Sequence, residues 1–249
     1  MLTNPFFITT NHKKTTRGKT VMNIAIVSKF DQTDPKILEH VSVAGLSVTD
    51  QNPDVVLCHG GDGTLLIAER KYPGVPKLLI KNSAICKKCV NYTIEDALAA
   101  IRKKSFKTED LIKIKAQVGN KHLLGVNDIV VRNTLPIHAL RFELTLDGEK
   151  FEQELIGDGI VVATPFGAGA YYYSIAKRGF NKGLGLAFNN LTTDMDHFNF
   201  EDTKPVEITV NRGDAIVIAD NNPETITVKP GDKILIRKAE ETAKIITLN

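Results

Sequence analysis

The fold is decided by the stretch Val55-Val56-Leu57-Cys58-His59-Gly60-Gly61-Asp62-Gly63-Thr64-Leu65-Leu66. Its apolar, β-branched start predicts a buried strand, its glycines predict a tight turn, and the apolar residues after Thr64 predict a helix. Glycine adopts positive φ easily and lets backbone N–H groups come close to a ligand. Because N–H groups at a helix N-terminus bind anions, the stretch predicts a phosphate-binding strand–turn–helix unit.

Asp62 is the unusual residue of this turn. A carboxylate beside bound phosphate would repel it unless the carboxylate binds Mg²⁺ or takes up a proton. The alternative is a structural turn in which Asp62 caps the following helix. The run of turn residues ending in Thr64 favours phosphate chemistry.

The composition is that of an ordinary globular protein, with 249 residues, 42% of them hydrophobic and 24% charged. A net charge of +3 is too small to indicate a nucleic-acid partner. The chain lacks the run of about 20 apolar residues that a membrane-spanning helix requires. Three cysteines fit a reducing compartment. We therefore expect a cytoplasmic protein without nucleic-acid or membrane partners.

Strands alternate with helices up to about residue 105, which predicts a parallel βαβ sheet. From Ile112 onward apolar and polar residues alternate with a period of two, which predicts mainly antiparallel strands. One helix, around Ala170 to Arg178, interrupts them. The predicted organisation is a flexible leader (1–21), an α/β nucleotide-binding domain (22–108), a β-rich domain (109–235) and a C-terminal tail (236–249) that could return to the first domain.

Local signals place several helix starts and turns. Asp34-Pro35 and Thr93 offer helix starts, the latter with Asp96 in the capping-box position. Gly119-Asn120 and Asp147-Gly148 predict hairpin turns. The first glycine-rich turn is expected to lead into a helix from Leu65 to Lys71.

Two further stretches carry polar groups in apolar surroundings. Asn127-Asp128 interrupts the apolar run from Leu123 to Val131, and a buried polar pair needs hydrogen-bond partners. The alternative is a strand-edge bulge with both side chains solvated. Gly157-Asp158-Gly159 opens a second glycine-rich region that runs through Thr164-Pro165-Phe166-Gly167 to Ala170-Tyr171. This region predicts a second nucleotide contact surface.

Cys86 and Cys89 have the spacing of a zinc or redox pair. A four-ligand zinc site needs a second pair, which the remaining Cys58 and scattered histidines do not supply. A structural role is favoured. His197 and the other histidines have no metal-like spacing.

Three motifs follow one another along the chain: Gly60 to Thr64, Asn127-Asp128, and the region from Gly157 to Tyr171. Together they resemble the NAD kinase family, and the likeness extends from about residue 23 to the mid-230s. Gly60 to Thr64 alone is shared with diacylglycerol, sphingoid and 6-phosphofructokinase relatives. Asn127-Asp128 and the region that begins at Gly157 point to NAD kinases in particular.

The resemblance implies a Rossmann-like or phosphofructokinase-like α/β domain, then a β-sandwich domain, with the active site between them. It implies transfer of a phosphoryl group from ATP to the adenosine ribose 2′-hydroxyl of NAD, which gives NADP. Polyphosphate is an alternative donor. A divalent cation, Mg²⁺, and a homo-oligomer, either a dimer or a tetramer, are also implied.

The resemblance further implies roles for individual residues. Asp62 would be the catalytic base. Asn127 and Asp128 would hold the nucleoside, and Asp158 would lie near the nicotinamide. The other substrate-binding and nucleotide-binding residues would be Gly60, Gly61, Gly63, Thr64, Gly169, Ala170, Tyr171 and Ser174. No residue is assigned as a metal ligand.

Four positions depart from the common family pattern. Phe166, Ala168 and Gly169 stand where hydroxyl residues are common, and Ile156 stands where a basic residue is common. The lost hydroxyls motivate one alternative, a non-catalytic NAD(P)-binding sensor. The shared glycine-rich turn motivates the other, a lipid or sphingoid kinase.

Overall fold

The computed structural model of the protein describes residues 22–28, 34–82, 86 and 92–248. The expected leader over residues 1–21 and the second cysteine of the pair, Cys89, lie outside this part of the chain. Within the described residues, no helix has both the length and the apolar character needed to cross a membrane.

The first part of the chain alternates strands and helices, as predicted. Its elements are β1 (Asn23–Ser28), α1 (Pro35–Val43), β2 (Ser47–Val48), β3 (Val55–Gly60), α2 (Asp62–Lys71), β4 (Lys77–Lys81) and α3 (Ile94–Lys103). The strands pair in parallel in the order β4-β3-β1-β2. Helices α1 and α3 pack on one face and α2 packs on the other. The predicted α/β class is confirmed.

Two helix starts lie where the capping signals predict them. Asp34 accepts the Lys36 N–H at 3.0 Å, and Pro35 is the first residue of α1. Thr93 accepts the Asp96 N–H at 3.1 Å at the start of α3. Side-chain acceptors at these positions satisfy N–H groups that a helix leaves unpaired, which fixes where each helix begins.

Helix α2 begins at Asp62, three residues before the predicted start at Leu65. Gly61 is the N-cap, and its N–H donates to the hydroxyl of Thr64 at 3.3 Å. The hydrogen bond to the Thr64 hydroxyl therefore fixes a helix start that is earlier than the predicted one. Asp62 is the first helical residue and not the cap.

The second part of the chain is mainly β. Its elements are β5 (Phe106–Val118), β6 (Lys121–Gly125), β7 (Asp128–Asn133), β8 (Leu140–Leu146), β9 (Glu149–Lys150), β10 (Leu155–Gly157), β11 (Gly159–Ala163), a 3₁₀ turn (Gly167–Gly169), α4 (Tyr171–Ala176), β12 (Leu184–Asn189), β13 (Phe198–Phe200), β14 (Val206–Arg212), β15 (Ala215–Ala219), β16 (Ile226–Val228) and β17 (Lys233–Leu248). The two predicted hairpin turns, at Gly119-Asn120 and Asp147-Gly148, are confirmed.

Two of the predicted elements have different bounds in the structure. The expected strand from Leu123 to Val131 is two strands, because the chain turns between Gly125 and Asp128. The helix expected from Ala170 to Arg178 ends earlier, because Lys177 takes a left-handed conformation with φ of 55°.

The β-rich part is a sandwich. One layer has the order β13-β12-β11-β7-β15-β16, and the facing layer contains β10-β8-β14-β17 with β5 and β6. Alternate side chains of both layers meet in one apolar core, which includes Phe142, Ile208 and Ile234 from one layer and Val131, Val162 and Val217 from the other. This is the usual packing of two antiparallel sheets, and the predicted sandwich is confirmed.

Strand β17 joins the two parts of the chain. It pairs antiparallel with β14 and β5, and near its end Ile245 pairs in parallel with Lys77 of β4. The expected boundaries at 108/109 and 235/236 fall inside β5 and β17. The domain limits stay a prediction.

Candidate active site

Close packing against Thr64 leaves no room for a side chain at Gly60, the first residue of the Gly60–Thr64 turn. A Cβ atom on Gly60 would lie 2.1 Å from the hydroxyl oxygen of Thr64. Thr64 is buried, and its own N–H donates to the Gly61 carbonyl at 2.9 Å. The turn therefore presents the N-terminus of α2, with its N–H groups and positive dipole end, at the carboxyl edge of β3.

Asp62 lies at this helix N-terminus and is half-buried. The Sγ atom of Cys86 lies 3.2 Å from its Oδ1. A carboxylate at the first turn of a helix is stabilised by the helix dipole. Asp62 therefore lies at the positive end of the α2 dipole, next to the backbone of the glycine turn.

Asn127 lies in the turn between β6 and β7, and Asp128 is the first residue of β7. The carboxylate of Asp220 accepts the N–H groups of Val126, Asn127 and Asp128 at 2.8, 2.7 and 3.1 Å. Asp128 is only 5% exposed, so the alternative of a bulge with both side chains solvated is wrong for this residue. Asp220 thus supplies hydrogen-bond partners for the backbone N–H groups of this turn.

The carboxyl groups of Asp128 and Asp220 therefore lie close together in the protein interior. Burial, and then the charge of Asp220, raise the pKa of Asp128 to about 7. Burial also raises the pKa of Asp220, while its three N–H donors and the Lys113 ammonium act in the opposite direction. Asp128 therefore titrates close to neutral pH.

The third motif packs directly on the Asn127 turn. The Thr164 N–H donates to the Asn127 carbonyl at 2.9 Å, and its hydroxyl donates to the Val126 carbonyl at 2.5 Å. Phe166 is buried in the apolar cluster that contains Val126 and Leu66 of α2. The phenylalanine that departs from the family pattern therefore packs the third motif against α2.

Asn221 connects this assembly to the first motif. Its side-chain amide donates to the Gly63 carbonyl at 3.1 Å, and its oxygen accepts from Arg70 at 3.3 Å. Asp220 and Asn221 were missed by sequence reasoning. The signal that could have found them is a polar pair directly after the apolar strand β15, as Asp62 follows β3.

Asp158 lies between β10 and β11. Its Oδ1 accepts from Asn133 at 3.1 Å and its Oδ2 from Asn190 at 2.8 Å. Gly159 has φ of 137°, and a Cβ atom there would lie 1.9 Å from the Val131 carbonyl oxygen. Only glycine fits this position, and the turn orients Asp158 toward the two amides.

Asp128 and Asp158 lie at opposite ends of one strand pair. Strand β7 runs from Asp128 to Asn133, and Asn133 contacts Asp158. At about 3.4 Å per residue, the two ends are about 17 Å apart. The predicted site residues thus form two groups, one beside the Asp62 turn and one around Asp158.

The segment from Gly167 to Ser174 runs between these groups. Helix α4 packs on β11 and β12 through buried Tyr172, and the Tyr171 hydroxyl accepts from Asn189 at 3.3 Å. Within the segment, Gly169 is half-buried and Ala170 is exposed.

A cavity of about 670 Å³ lies beside Tyr171 and Ser174. Its other lining residues include Asn189, Asn190, Asp194 and His197. The Nδ1 atom of His197 accepts the Phe188 N–H at 3.2 Å, and burial lowers the pKa of His197. The size of the cavity and its polar lining suit part of a small-molecule ligand.

No group of three or more His, Cys, Asp or Glu side chains in the described part of the chain could hold a metal ion. These residues therefore do not form a cation cage of their own. Mg²⁺ commonly binds through one or two carboxylates and the phosphates of a nucleotide, which is the mode this donor set would suit.

Comparisons with known proteins agree with these motifs. No protein-family model matches the chain. NAD kinase 1 of Oceanobacillus iheyensis is 32% identical over 186 residues, which are 67% of this chain and 64% of that protein. The NAD kinase of Sulfurisphaera tokodaii is 31% identical over 152 residues, 59% of each. The chain thus spans about three fifths of the length of these curated relatives.

Two solved structures share the fold over most of the chain. An NAD kinase from Archaeoglobus fulgidus in complex with ATP superimposes with a TM-score of 0.77 at 21% identity, covering 91% of this chain and 94% of that one. Yeast NADH kinase complexed with NADH superimposes with a TM-score of 0.80 at 13% identity, covering 92% and 84%. The chain therefore has the fold of the NAD kinases, and the resemblance to that family indicated by its three motifs is confirmed.

Proposed function

We propose that the protein is an NAD kinase that transfers a phosphoryl group from ATP to the adenosine ribose 2′-hydroxyl of NAD, giving ADP and NADP. The observation that carries the proposal is the convergence of the three motifs. Asn221 contacts the Gly63 carbonyl, Asp220 holds the Asn127 turn, and Thr164 packs on the same turn. Related proteins named NAD kinase support the same activity.

In this proposal Asp62 is the general base. An alcohol is a poor nucleophile, and an enzyme of this kind supplies mainly positioning, charge stabilisation and proton acceptance. Asp62 would accept the proton of the 2′-hydroxyl as the oxygen attacks the terminal phosphorus of ATP. The N–H groups of Gly60, Gly61, Gly63 and Thr64 would face the phosphates at the start of α2.

The two groups of site residues match the two ends of a dinucleotide. The reacting ribose belongs to the adenosine, so the adenosine lies at the end nearer Asp62, beside Asn127 and Asp128. The nicotinamide end then extends toward Asp158. Between them, Gly169, Ala170, Tyr171 and Ser174 would line the path along α4. Tyr171 and Ser174 already border the cavity at the far end.

A divalent cation, Mg²⁺, would be carried by the phosphates of ATP and would neutralise part of their charge. Polyphosphate as donor, a homo-oligomeric assembly and a cytoplasmic location stay predictions of the family resemblance.

The test is NADP formation by the purified full chain with NAD, ATP and Mg²⁺. Asp62→Asn keeps the size of the side chain but removes the base, so we expect kcat to fall by about 10²- to 10⁴-fold while NAD binding persists. Asp147→Asn, in an exposed hairpin turn, is the matched control and should leave kcat unchanged.

Failure to form NADP with ATP or polyphosphate would overturn the proposal. Binding of NAD without turnover by the unsubstituted protein would support the sensor alternative. Phosphorylation of a lipid or sphingoid base, and not of NAD, would support the lipid kinase alternative.

A further inference from the structure

We propose that Asp220 and Asn221 are positioning residues that hold the nucleoside-binding turn, Val126–Asp128, against the Asp62 end of α2. The expected effect of these residues on the reaction rests on the proposed function. Its structural basis is that two consecutive side chains contact two different motifs.

Asp220 fixes the turn through its carboxylate and its backbone. Its carboxylate accepts the three consecutive N–H groups of Val126, Asn127 and Asp128. Its own N–H donates to the Asp128 carbonyl at 3.0 Å. Because a single side chain accepts three consecutive backbone N–H groups, it defines the conformation of the turn.

Gly125 packs closely against both the turn and the Asp220 carboxylate. A Cβ atom on Gly125, directly before the turn, would lie 3.2 Å from the Asp220 carboxylate and 2.6 Å from the Asp128 carbonyl oxygen. The Asp220 carboxylate therefore packs against the backbone at Gly125 in addition to its hydrogen bonds with the turn.

Asn221 reaches in the other direction, to α2. Its amide donates to the Gly63 carbonyl beside Asp62, and its oxygen accepts from Arg70 two turns along the same helix. Asp220 has φ of 50°, a left-handed conformation that a non-glycine residue seldom adopts. Asp and Asn tolerate this conformation best, and backbone strain of this kind is found preferentially at functional sites.

The consequence is a fixed spacing between the base and the nucleoside. Phosphoryl transfer depends on alignment of the hydroxyl with its base, and a displacement of about 1 Å can cost about 10²-fold in rate. Loss of the Asn221 contact would displace Gly63 and Asp62, which affects kcat. Loss of the Asp220 contacts would loosen the Asn127 turn, which affects the KM for NAD.

The experiment compares three variants of the full chain in the NADP-forming assay. We expect Asn221→Ala to lower kcat about tenfold with the KM for NAD nearly unchanged, and Asp220→Asn to raise the KM for NAD about tenfold. Asn222→Ala is the matched control. It also removes a side-chain hydrogen bond, to the Glu224 N–H at 3.1 Å, but contacts neither motif through it. It should change neither constant.

Amide hydrogen exchange gives a readout that does not need activity. In Asp220→Asn, exchange at Val126, Asn127 and Asp128 should become at least about tenfold faster, because one acceptor oxygen is replaced by a donor. Asn222→Ala should leave exchange at these amides unchanged.

The outcomes separate the two proposals. If the unsubstituted protein makes no NADP, the proposed function fails, and unchanged exchange at the turn in Asp220→Asn then overturns the structural inference as well. If it makes NADP but Asn221→Ala behaves like Asn222→Ala, only the positioning inference is overturned. Asn221 is exposed, so this variant decides the question even if Asp220→Asn does not fold.

Discussion

Gly167 lies against the backbone of Asn127 so closely that a Cβ atom added to it would be 2.1 Å from the Asn127 carbonyl oxygen. The carbonyl carbon and Cα of Asn127 would be 2.4 and 2.6 Å away. All three are backbone atoms, which cannot move aside as the end of a side chain can. The second and third motifs therefore fit together only because residue 167 is glycine.

Gly167→Ala is expected to lower the free energy of unfolding by about 2 kcal/mol, because the added methyl group forces the two segments apart. It should also weaken NAD binding, since the Asn127 turn is displaced. Urea unfolding and NAD titration measure the two effects. In Gly179→Ala the new Cβ would be 3.7 Å from its nearest neighbour, an ordinary contact, so this control should be nearly neutral. Equal effects of the two substitutions would contradict the prediction.

The ionisation of Asp128 should make stability depend on pH. Its pKa is raised to about 7 from 3.8, mainly by burial, so the folded state binds the proton more tightly than the unfolded state. The contribution to stability is full below about pH 4 and is lost as pH rises toward 7. Asparagine carries no ionisable proton, so Asp128→Asn removes the pH-dependent loss of stability. The substitution should therefore raise the free energy of unfolding more at pH 8 than at pH 5, with a gain of up to about 4 kcal/mol at pH 8.

Urea unfolding at the two pH values measures this difference. Asp147→Asn, at an exposed turn with φ of 54°, is the control and should show no pH-dependent gain. An equal gain for Asp128→Asn at pH 5 and pH 8 would show that Asp128 does not titrate in this range.

Glu69 lies between two lysines in the interior. It contacts the Lys77 ammonium, and its other oxygen accepts from Lys113 at 3.0 Å, with all three side chains buried. Glu69→Gln would remove the carboxylate that pairs with both buried lysines, so we expect a loss of about 3–5 kcal/mol in unfolding free energy. Lys113→Met should cost less, because the Glu69–Lys77 pair remains.

The matched control for Glu69→Gln is Asp110→Asn, which removes one carboxylate from an exposed pair with Lys244. Exposed pairs contribute little, so the expected loss is under about 1 kcal/mol. Chemical denaturation of the variants at one pH gives the comparison. A loss for Glu69→Gln as small as that for Asp110→Asn would contradict the assignment.

The hydroxyl of Thr64 should be needed for the shape of the first motif. Thr64→Val keeps the volume but removes the acceptor of the Gly61 N–H, and we expect about 1 kcal/mol lower stability together with lower kcat. Thr64→Ser keeps the hydroxyl and should retain most of the kcat. Thermal unfolding and the NADP assay test the pair, and a Val variant as active as the Ser variant would refute the role of the hydroxyl.

Sequence reasoning succeeded where the interacting groups are close along the chain. Thr93 caps the helix that begins one residue later, and Gly119-Asn120 joins adjacent strands. The period of the apolar residues is likewise local, so the α/β and antiparallel parts could be distinguished.

The contacts that the sequence did not reveal are tertiary contacts between different helices, strands and turns. The carboxylate of Asp220 binds N–H groups 92 to 94 residues earlier in the chain. Lys77 is the first residue of β4 and is fully buried, where its ammonium group contacts Glu69 of α2 and donates to the Tyr72 carbonyl. No local pattern distinguishes such a residue from an exposed one, because its partner is set by tertiary packing.

Strand β17 also bears on the order of folding during synthesis. Its residue Ile245 pairs with Lys77 of β4, so one neighbour of β4 in the parallel sheet comes from near the end of the described chain. Contacts between residues so far apart in sequence form late and slow folding. As the chain leaves the ribosome, the first sheet has an open edge at β4 until β17 has been made. That edge is a site at which newly made chains could pair with one another before folding is complete.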